Sequence, residues 1–292
     1  MDKRVGIIGG SGLYQIEELE NKHFEEVSTP FGVPSDAFLV GDIGGRGVVF
    51  LPRHGRGHRI LPSEINYKAN VWAMKKLGVE WIVSVSAVGS FRKELRPMDI
   101  VLVDQFFDRT KDGDASTFFG NGIAGHIMFA HPVCAALQDR VQAAAEQACP
   151  DVTLHRGGTY LNMTGPAFST RAESLVYKSW GMDVIGMTNL YEARLAREAE
   201  ICYVTLAMVT DYDCWIEGEK EEPVSVEMII QNLNKNVAAA RKIITALVPE
   251  IPEERRCECA HALDTAVITR SDAVSEDAYK KLELILGRVI RR

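Results

Sequence analysis

Two carboxylates, Asp211 and Asp213, stand two residues apart directly after the long apolar run 201–209. A run without polar alternation is typical of a strand covered by helices on both faces. In open α/β sheets, ligands bind beyond the carboxyl ends of such strands. Two carboxylates in a dry site favour a form in which one of them keeps a proton. The pair is therefore predicted to donate or accept a proton; a helix N-cap beside an exposed acid is the alternative.

A second group of residues could bind an anion. Three Gly-bearing loops follow strand-like runs, and they carry Ser11, Arg53 with His54, and Ser86 with Ala87. Glycine lets backbone N–H groups approach an anion closely, and arginine offers a forked set of donors suited to phosphate. We expect these loops to meet at one anion. A tight turn and a plain basic loop are the alternatives, whereas a dinucleotide site is disfavoured because the first loop lacks the third Gly of that pattern.

The stretch 182–215 must position the acid pair. Its first residues, 182–187, are apolar and predict a short strand that leads into a loop. Thr188 or Asn189 then caps a helix that turns its apolar residues inward. Three polar residues of this helix are expected at the surface: Arg194, Arg197 and Glu198. The buried strand and the acidic turn follow.

The rest of the chain alternates strand-like and helix-like segments. Strands are predicted at 5–8, in a hairpin over 37–51, at 80–86 and at 100–106. Helices are predicted at 65–77, 132–149, 226–248 and from the N-cap Ser275 to about Ile290. A strand, a Gly-Pro turn and a helix share 159–173. The irregular part 113–131 holds His126 and His131, which are site candidates, although a lone loop histidine is more often solvated.

Composition limits the class of protein. The 292 residues carry a net charge of −7 with 46% hydrophobic residues, which argues against nucleic-acid and anionic-membrane partners. No apolar run approaches the roughly 20 residues that span a bilayer, and the N-terminus lacks a signal-peptide pattern. We expect a cytoplasmic protein and a single large α/β domain, because no linker or repeat divides the chain.

Six cysteines are spread along the chain, at 134, 149, 202, 214, 257 and 259. Most lie in apolar or helical segments, where a free buried thiol is the usual state. Cys257 and Cys259 form the unusual pair, for which a strained disulfide or a redox pair is the alternative. No His/Cys group has the spacing of a zinc site, so no metal site is expected.

The motifs resemble the trimeric purine nucleoside phosphorylase family. The similarity covers most of residues 4–245, in order, and rests on these segments: GIIGGSGL, TPFGVPSDA, PRHGRGH, NYKANVWA, SAVGSFR, MDIVLVDQFFDRT, GPAFSTRAES, VIGMT and TDYDCW. The resemblance implies a three-layer α/β/α domain around a mixed, partly barrel-like sheet. It further implies a phosphorylase domain over 1–250, a helical extension over 251–292, and assembly as a homotrimer or a dimer of trimers.

The resemblance also implies an activity, phosphorolysis of a purine nucleoside, with 5′-methylthioadenosine as the expected substrate. Inorganic phosphate would be the co-substrate, with no cofactor and no metal. The phosphate ligands implied are Ser11, Arg53, His54, Ser86, Ala87 and Thr188. The implied nucleoside contacts are Met163, Phe168, Met187, Asp211, Asp213, Val224, Val226 and Ile229, with His126 walling a neighbour's 5′ pocket. Asp213 would act as the acid at purine N7, with Asp211 and His54 as the other catalytic groups.

Base choice leaves an alternative. Asp213 favours a 6-aminopurine, since a carboxylate accepts from an exocyclic amine, whereas relatives acting on 6-oxopurines typically have Asn there. However, many members carry Glu and Arg where this chain has Thr164 and Ala167. A 6-oxopurine or methylthioinosine phosphorylase is therefore the alternative. A nicotinamide oxidoreductase is disfavoured because the Gly motif is broken. A non-catalytic nucleoside-binding protein is disfavoured because it would have no use for the anion-binding set of Arg53, His54 and Ser86.

Overall fold

The structure is a computed structural model that describes residues 3–10, 13, 16–110, 116–216 and 226–290. The strands in these parts are β1 Arg4–Gly9, β2 Glu20–Glu25, β3 Phe38–Ile43, β4 Arg46–Pro52, β5 Val79–Ser90, β6 Ile100–Leu102, β7 Gln105–Arg109, β8 Leu154–Arg156, β9 Thr159–Met163, β10 Val184–Gly186 and β11 Cys202–Asp211. The α-helices are α1 Tyr67–Lys76, α2 Ala135–Ala148, α3 Arg171–Ser179, α4 Asn189–Glu198, α5 Val226–Glu250 and α6 Glu276–Leu286.

All the strands belong to one mixed sheet of 11 strands. Its main path runs β2-β3-β4-β1-β5-β10-β9-β7, and a branch from β5 adds β11, β6 and β8. The neighbours β4, β1, β5 and β11 are parallel to one another, whereas β2–β3, β3–β4, β5–β10 and β6–β11 are antiparallel. The four parallel strands therefore end at the same edge of the sheet.

Helices cover both faces of this sheet. Consecutive strand residues point to opposite faces, so Ile7 packs in the cluster that contains α2 and α5. Ile8 packs in the cluster that contains α1, α4 and α6. The same alternation recurs at Ile82 and Val83 of β5. Because β11 is buried at every position, its continuous apolar run follows from cover on both faces. The predicted mixed α/β fold is confirmed.

Three local predictions are wrong. The segment 87–90, predicted as the loop after a strand at 80–86, continues β5, so Ser86 and Ala87 lie within the strand. The segment 100–106, predicted as one strand, forms β6 and β7, which pair with different neighbours. Glu198, predicted at the surface, is 4% exposed. Its carboxylate accepts hydrogen bonds from the Phe118 backbone N–H at 2.6 Å and the Thr117 hydroxyl at 2.7 Å. These two donors replace water, and burial raises the pKa of Glu198 to about 7.

The C-terminal segment packs against the same core. Leu282 and Leu286 of α6 join the cluster that contains Val71 and Met74 of α1. The Ser275 side chain caps α6 by accepting from the Ala278 N–H, as predicted. A division of the chain near residue 250 stays a prediction. Among the described helices, none combines the length and hydropathy needed to cross a membrane.

Candidate active site

The parallel strands bring the predicted loops to one edge of the sheet. Gly9 at the end of β1 is in register with Pro52 at the end of β4. Asp211 at the end of β11 is in register with Gly89 of β5. The loop that carries Arg53 and the loop that carries the acids therefore leave the same edge, as the position of ligand sites in open α/β sheets requires.

A cavity of about 1030 Å³ opens at this edge. Its lining includes most of the residues that the sequence nominates: Arg53, His54, Ser86, Ala87, Met163, Phe168, Met187, Thr188, Asp211, Asp213 and Ile229. Phe168 is 57% exposed, so its ring has an open face at the rim. The size suits a small organic ligand that fills a cleft between loops.

Four further residues are nominated by the sequence: Ser11, His126, Val224 and Val226. Ser11 and Val224 fall outside the described residues, as does the side chain of Val226. His126 is exposed and is not among the described residues that line the cavity. Its backbone N–H donates to the Ala266 carbonyl at 2.8 Å, so the C-terminal segment holds this loop in place.

Arg53 has a partner that the sequence did not reveal, Glu192 of α4. The Arg53 Nε donates to Glu192 Oε1 at 2.8 Å, and Nη2 lies 3.3 Å from Oε2. The guanidinium also donates to the Val85 carbonyl at 2.8 Å and to the Ser84 hydroxyl at 2.5 Å. Arg53 is 4% exposed and Glu192 2%. Although burial opposes its charge, Glu192 raises the pKa of Arg53, so the guanidinium stays ionised and fixed in direction.

His54 is an uncharged member of the site. Burial first, and then the neighbouring Arg53 cation, lowers its pKa to about 4. Its Nδ1 lies 2.8 Å from the Ile60 carbonyl. Because a carbonyl oxygen only accepts, Nδ1 carries the proton and Nε2 keeps its lone pair. His58 stacks on the ring at a centroid distance of 4.3 Å. His54 can thus accept a hydrogen bond from a ligand hydroxyl, but it adds no positive charge near neutral pH.

The N-terminus of α4 faces the same cavity. Thr188 is the N-cap residue, and its hydroxyl makes no capping hydrogen bond. A helix N-terminus favours an anion through its dipole and its N–H groups, although in α4 the Leu190 N–H already donates to Asn162 Oδ1 at 3.2 Å. The Tyr160 hydroxyl, which the sequence did not reveal, lies beside Ser86 and the Thr188 backbone. Burial raises its pKa, and hydrogen bonding with these two neighbours offsets part of that rise. A Cβ on Gly186 would lie 1.9 Å from that hydroxyl, so glycine is required there.

The acid pair has two unlike members. Asp211 accepts from the Thr210 hydroxyl at 2.7 Å and from the Asp213 backbone N–H at 2.8 Å. Those bonds hold Asp213 in a left-handed conformation, with φ 51°. Burial, aided by the Asp213 charge, raises the pKa of Asp211. Burial also raises the pKa of Asp213, against hydrogen bonding led by Ser174. Asp213 also accepts hydrogen bonds from Ser169 and Cys214, and burial still leaves its pKa raised, so both acids of the pair are disposed to hold a proton.

The two ends of the cavity have complementary chemistry. One end offers hydroxyls, a helix N-terminus and a fixed guanidinium edge, which suit a phosphate-sized anion. The other offers an acid that can donate a proton and a neighbour that can accept one. Met163 and Met187 line the space between them. Such a site could hold an anion against one face of a ligand while protonating a leaving group at its far end.

The cysteines depart from expectation. The sequence offers no ordinary zinc spacing, yet the fold collects the thiols of Cys134, Cys202, Cys257 and Cys259 within 4.8 Å of one another. Spacing along the chain therefore does not reveal this cluster, because its members come from distant segments. The absence of a bound metal stays a prediction. Among the described residues no other such group of His, Cys, Asp and Glu is found.

Comparisons with known proteins show which family this chain resembles over nearly its whole length. A profile of the phosphorylase superfamily matches residues 4–249. The S-methyl-5′-thioadenosine phosphorylase of Geobacter sulfurreducens is 55% identical over 290 residues, which cover 99% of this chain and 100% of the relative. A methylthioadenosine phosphorylase sourced from an antarctic soil metagenomic library has a solved structure with TM-score 0.92 and 46% identity, covering 98% and 99% of the two chains.

A more distant structure shows the same fold. Methylthioadenosine phosphorylase from Schistosoma mansoni, solved in complex with adenine, has TM-score 0.82 and 38% identity and covers 89% of this chain and 96% of that one. Both the length of the profile match and the identity over nearly the whole chain exceed what chance similarity gives. This chain therefore belongs to the phosphorylase superfamily.

Proposed function

We propose that this protein cleaves the N-glycosidic bond of 5′-methylthioadenosine with inorganic phosphate, releasing adenine and 5-methylthioribose 1-phosphate. The observation that carries the proposal is the meeting of an anion-suited helix N-terminus and a pair of acids with raised pKa in one cavity. The names of the relatives specify the nucleoside. Phosphate is the co-substrate, and no other cofactor or metal takes part in the reaction.

Phosphate binds at the end formed by Ser86, Ala87 and Thr188, with Ser11 added by the family resemblance. Arg53, held by Glu192, Ser84 and Val85, presents its charge and the remaining N–H of Nη1 to the anion. Since His54 is neutral with a lone pair on Nε2, it accepts a hydrogen bond from a phosphate O–H. A bound phosphate is both the nucleophile and a counter-charge for the sugar, whose transition state resembles an oxocarbenium ion.

The purine leaves from the other end of the cavity. As the glycosidic bond breaks, negative charge develops on the base. Asp213, carrying a proton, donates to purine N7 and so improves the leaving group. Asp211 holds the Asp213 backbone and keeps the second acid in place, and the pair supplies an acceptor for the 6-amino group. Phe168 and Met163 pack near the base, and Met187 lies under the ribose.

The 5′ end of the nucleoside takes an apolar group. Ile229 lines the cavity, and Val226 precedes it by three residues at the start of α5. Apolar side chains bury a thiomethyl group but offer a 5′-hydroxyl no partner. His126 on its exposed loop walls the 5′ pocket of a neighbouring subunit in a homotrimer or a dimer of trimers. Sedimentation velocity tests the assembly, and a monomer that turns over at full rate would exclude this role.

The compartment is the cytoplasm. All six cysteines are unpaired thiols, as is usual in a reducing compartment. In an oxidising compartment, neighbouring thiols such as those of Cys202 and Cys257, 3.3 Å apart, would be expected to form a disulfide bond. Fractionation of cells with an antibody to the native protein tests this assignment.

The reaction is tested by adenine release from 5′-methylthioadenosine, measured with dialysed enzyme in the presence and absence of phosphate. The proposal expects release only with phosphate, and faster than from adenosine. Methylthioinosine and inosine serve as rival substrates. Turnover of the 6-oxo compounds alone would support the phosphorylase activity but overturn the assignment of adenine as the base. Release at an equal rate without phosphate would overturn phosphorolysis.

A further inference from the structure

Four cysteine thiols from three distant parts of the chain meet away from the nucleoside cavity. Cys134 is the N-cap residue of α2, and Cys202 is the first residue of β11. Cys257 and Cys259 come from the segment that follows α5. All four Sγ atoms lie within 4.8 Å of one another, and those of Cys202 and Cys257 are 3.3 Å apart.

The surroundings of this cluster are closed on one side and open on the other. Cys134, Cys202 and Cys259 are 4%, 0% and 6% exposed and belong to the core cluster of α2 and α5. Cys257 is half-buried and lines a second cavity of about 440 Å³. The cluster is thus shielded from bulk water, yet one of its thiols faces a route by which a small ion could arrive.

We propose that these four cysteines bind one zinc ion as a tetrathiolate structural site. A tetrahedral site with Zn–S bonds of about 2.3 Å has sulfur atoms about 3.8 Å apart. The upper limit of 4.8 Å on all separations and the Cys202–Cys257 separation of 3.3 Å bracket that value. A disulfide bond would need about 2.05 Å, and all six cysteines are free. Four protein ligands leave no open position, so the site is structural and not catalytic.

Charge around the cluster suits thiolates. Four thiolates and Zn²⁺ carry a net charge of −2, which needs positive partners nearby. Cys134 stands at the N-terminus of a 14-residue helix, whose dipole favours a thiolate. The cavity beside Cys257 is lined by three arginines, one histidine and one acid, and so is basic on balance: Arg197, Arg255, Arg256, His261 and Glu258. The zinc ion neutralises half of the thiolate charge, and this basic lining offsets the rest.

The consequence is a link between the C-terminal segment and the phosphorylase fold. The superfamily match ends at residue 249, before Cys257 and Cys259, whereas Cys134 and Cys202 lie inside it. The same segment bonds to the loop at 124–126, through Ile268 N–H to the Ala124 carbonyl at 2.9 Å and Ala124 N–H to the Thr269 hydroxyl at 2.7 Å. The zinc ion would therefore anchor residues 257–269 and, through them, this loop. The proposal does not depend on the nucleoside reaction.

The metal content of the whole protein tests the proposal. Protein produced with zinc in the medium is purified under reducing conditions without a chelator and analysed by inductively coupled plasma mass spectrometry. We expect about one zinc ion per chain. A thiol-specific mercurial should release that ion, and removal of zinc should lower the Tm by about 10 °C. Protein with the four thiols free and no metal, or with iron in place of zinc, would overturn the assignment.

Variants and intact mass complete the test. The double variant Cys257→Ser with Cys259→Ser should lose the zinc ion. The control Cys149→Ser should keep it, because that buried thiol lies outside the cluster and contacts the Ala239 carbonyl. If the mass of the denatured protein is lower than the calculated mass by two hydrogens per disulfide bond, the cluster is oxidised. That result would also overturn the proposal. The mass and metal content of the unmodified protein decide the matter even where the double variant fails to fold.

Discussion

Glu192 is predicted to be the residue on which Arg53 depends for its place in the site. The ion pair joins Nε to Oε1 at 2.8 Å with both side chains almost fully buried. The Ser84 and Tyr203 hydroxyls also donate to Glu192 Oε2, at 2.6 and 2.9 Å. In Glu192→Gln, an amide N–H₂ group would face these donors and the Arg53 cation would lose its anion. Breaking one side of a buried pair costs about 3–5 kcal/mol.

Glu198, six residues after Glu192 on the same helix, provides a matched control. It is 4% exposed, but two neutral donors hydrogen-bond to it, and burial raises its pKa to about 7 in spite of the charges of Lys68 and Arg194. Glu198→Gln should cost about 1 kcal/mol, the size of one neutral hydrogen bond. Differential scanning calorimetry at a fixed protein concentration measures both effects. Glu192→Gln should lower the Tm by about 10 °C and Glu198→Gln by about 3 °C.

A double variant separates stability from function. Replacing both partners, as Arg53→Met with Glu192→Leu, removes the unpaired charge, so its Tm should exceed that of Glu192→Gln. Its phosphate-dependent turnover should nevertheless be lost, because the guanidinium edge is gone. Equal Tm losses for Glu192→Gln and Glu198→Gln, or a double variant less stable than Glu192→Gln, would refute the reasoning.

Three further predictions concern the acid pair and His54. Asp213→Asn should lower kcat/KM for 5′-methylthioadenosine by about 10²–10⁴-fold, far more than for methylthioinosine; equal losses would count against the acid, and exposed Asp272→Asn is the control. Gly89→Ala should lower kcat clearly and the Tm only slightly, since its Cβ would lie 3.0 Å from Asp211 Oδ1 and displace that carboxylate. An unchanged kcat would contradict this. Because folding lowers the pKa of His54 to about 4, the unfolded chain binds the proton first as the pH falls. The free energy of unfolding should therefore drop between about pH 6.5 and 4, and less so in His54→Asn, as urea titrations would show.

Much of the fold follows from local patterns. The continuous apolar run of β11 and the helix α4 that precedes it are present in the sequence as periodicity, and Thr188 takes the predicted N-cap position although its hydroxyl makes no capping bond. The proximity of the Arg53 loop to Ser86, in the carboxyl-terminal half of β5, follows from parallel strands with their carboxyl ends at one edge. These features depend on neighbours in the chain, so a single sequence carries them.

The contacts that were missed join residues far apart in the chain. Arg53 and Glu192 are 139 residues apart, and no spacing rule relates them. Glu198 occupies a helix position that periodicity assigns to the surface, and only the loop at 117–118 covers it. The cysteine cluster combines a helix N-cap, a strand start and a C-terminal pair, none of which has zinc-like spacing alone. Such pairings are set by packing, which a local pattern does not encode.

The central claim is that phosphate, and not water, attacks the sugar. Phosphorus NMR of a reaction with 5′-methylthioadenosine and inorganic phosphate measures this directly, beside a chromatographic count of adenine. The account predicts that a sugar 1-phosphate signal grows in step with adenine while inorganic phosphate falls by the same amount. Adenine release with an unchanged phosphate signal and free 5-methylthioribose would show hydrolysis and contradict the account.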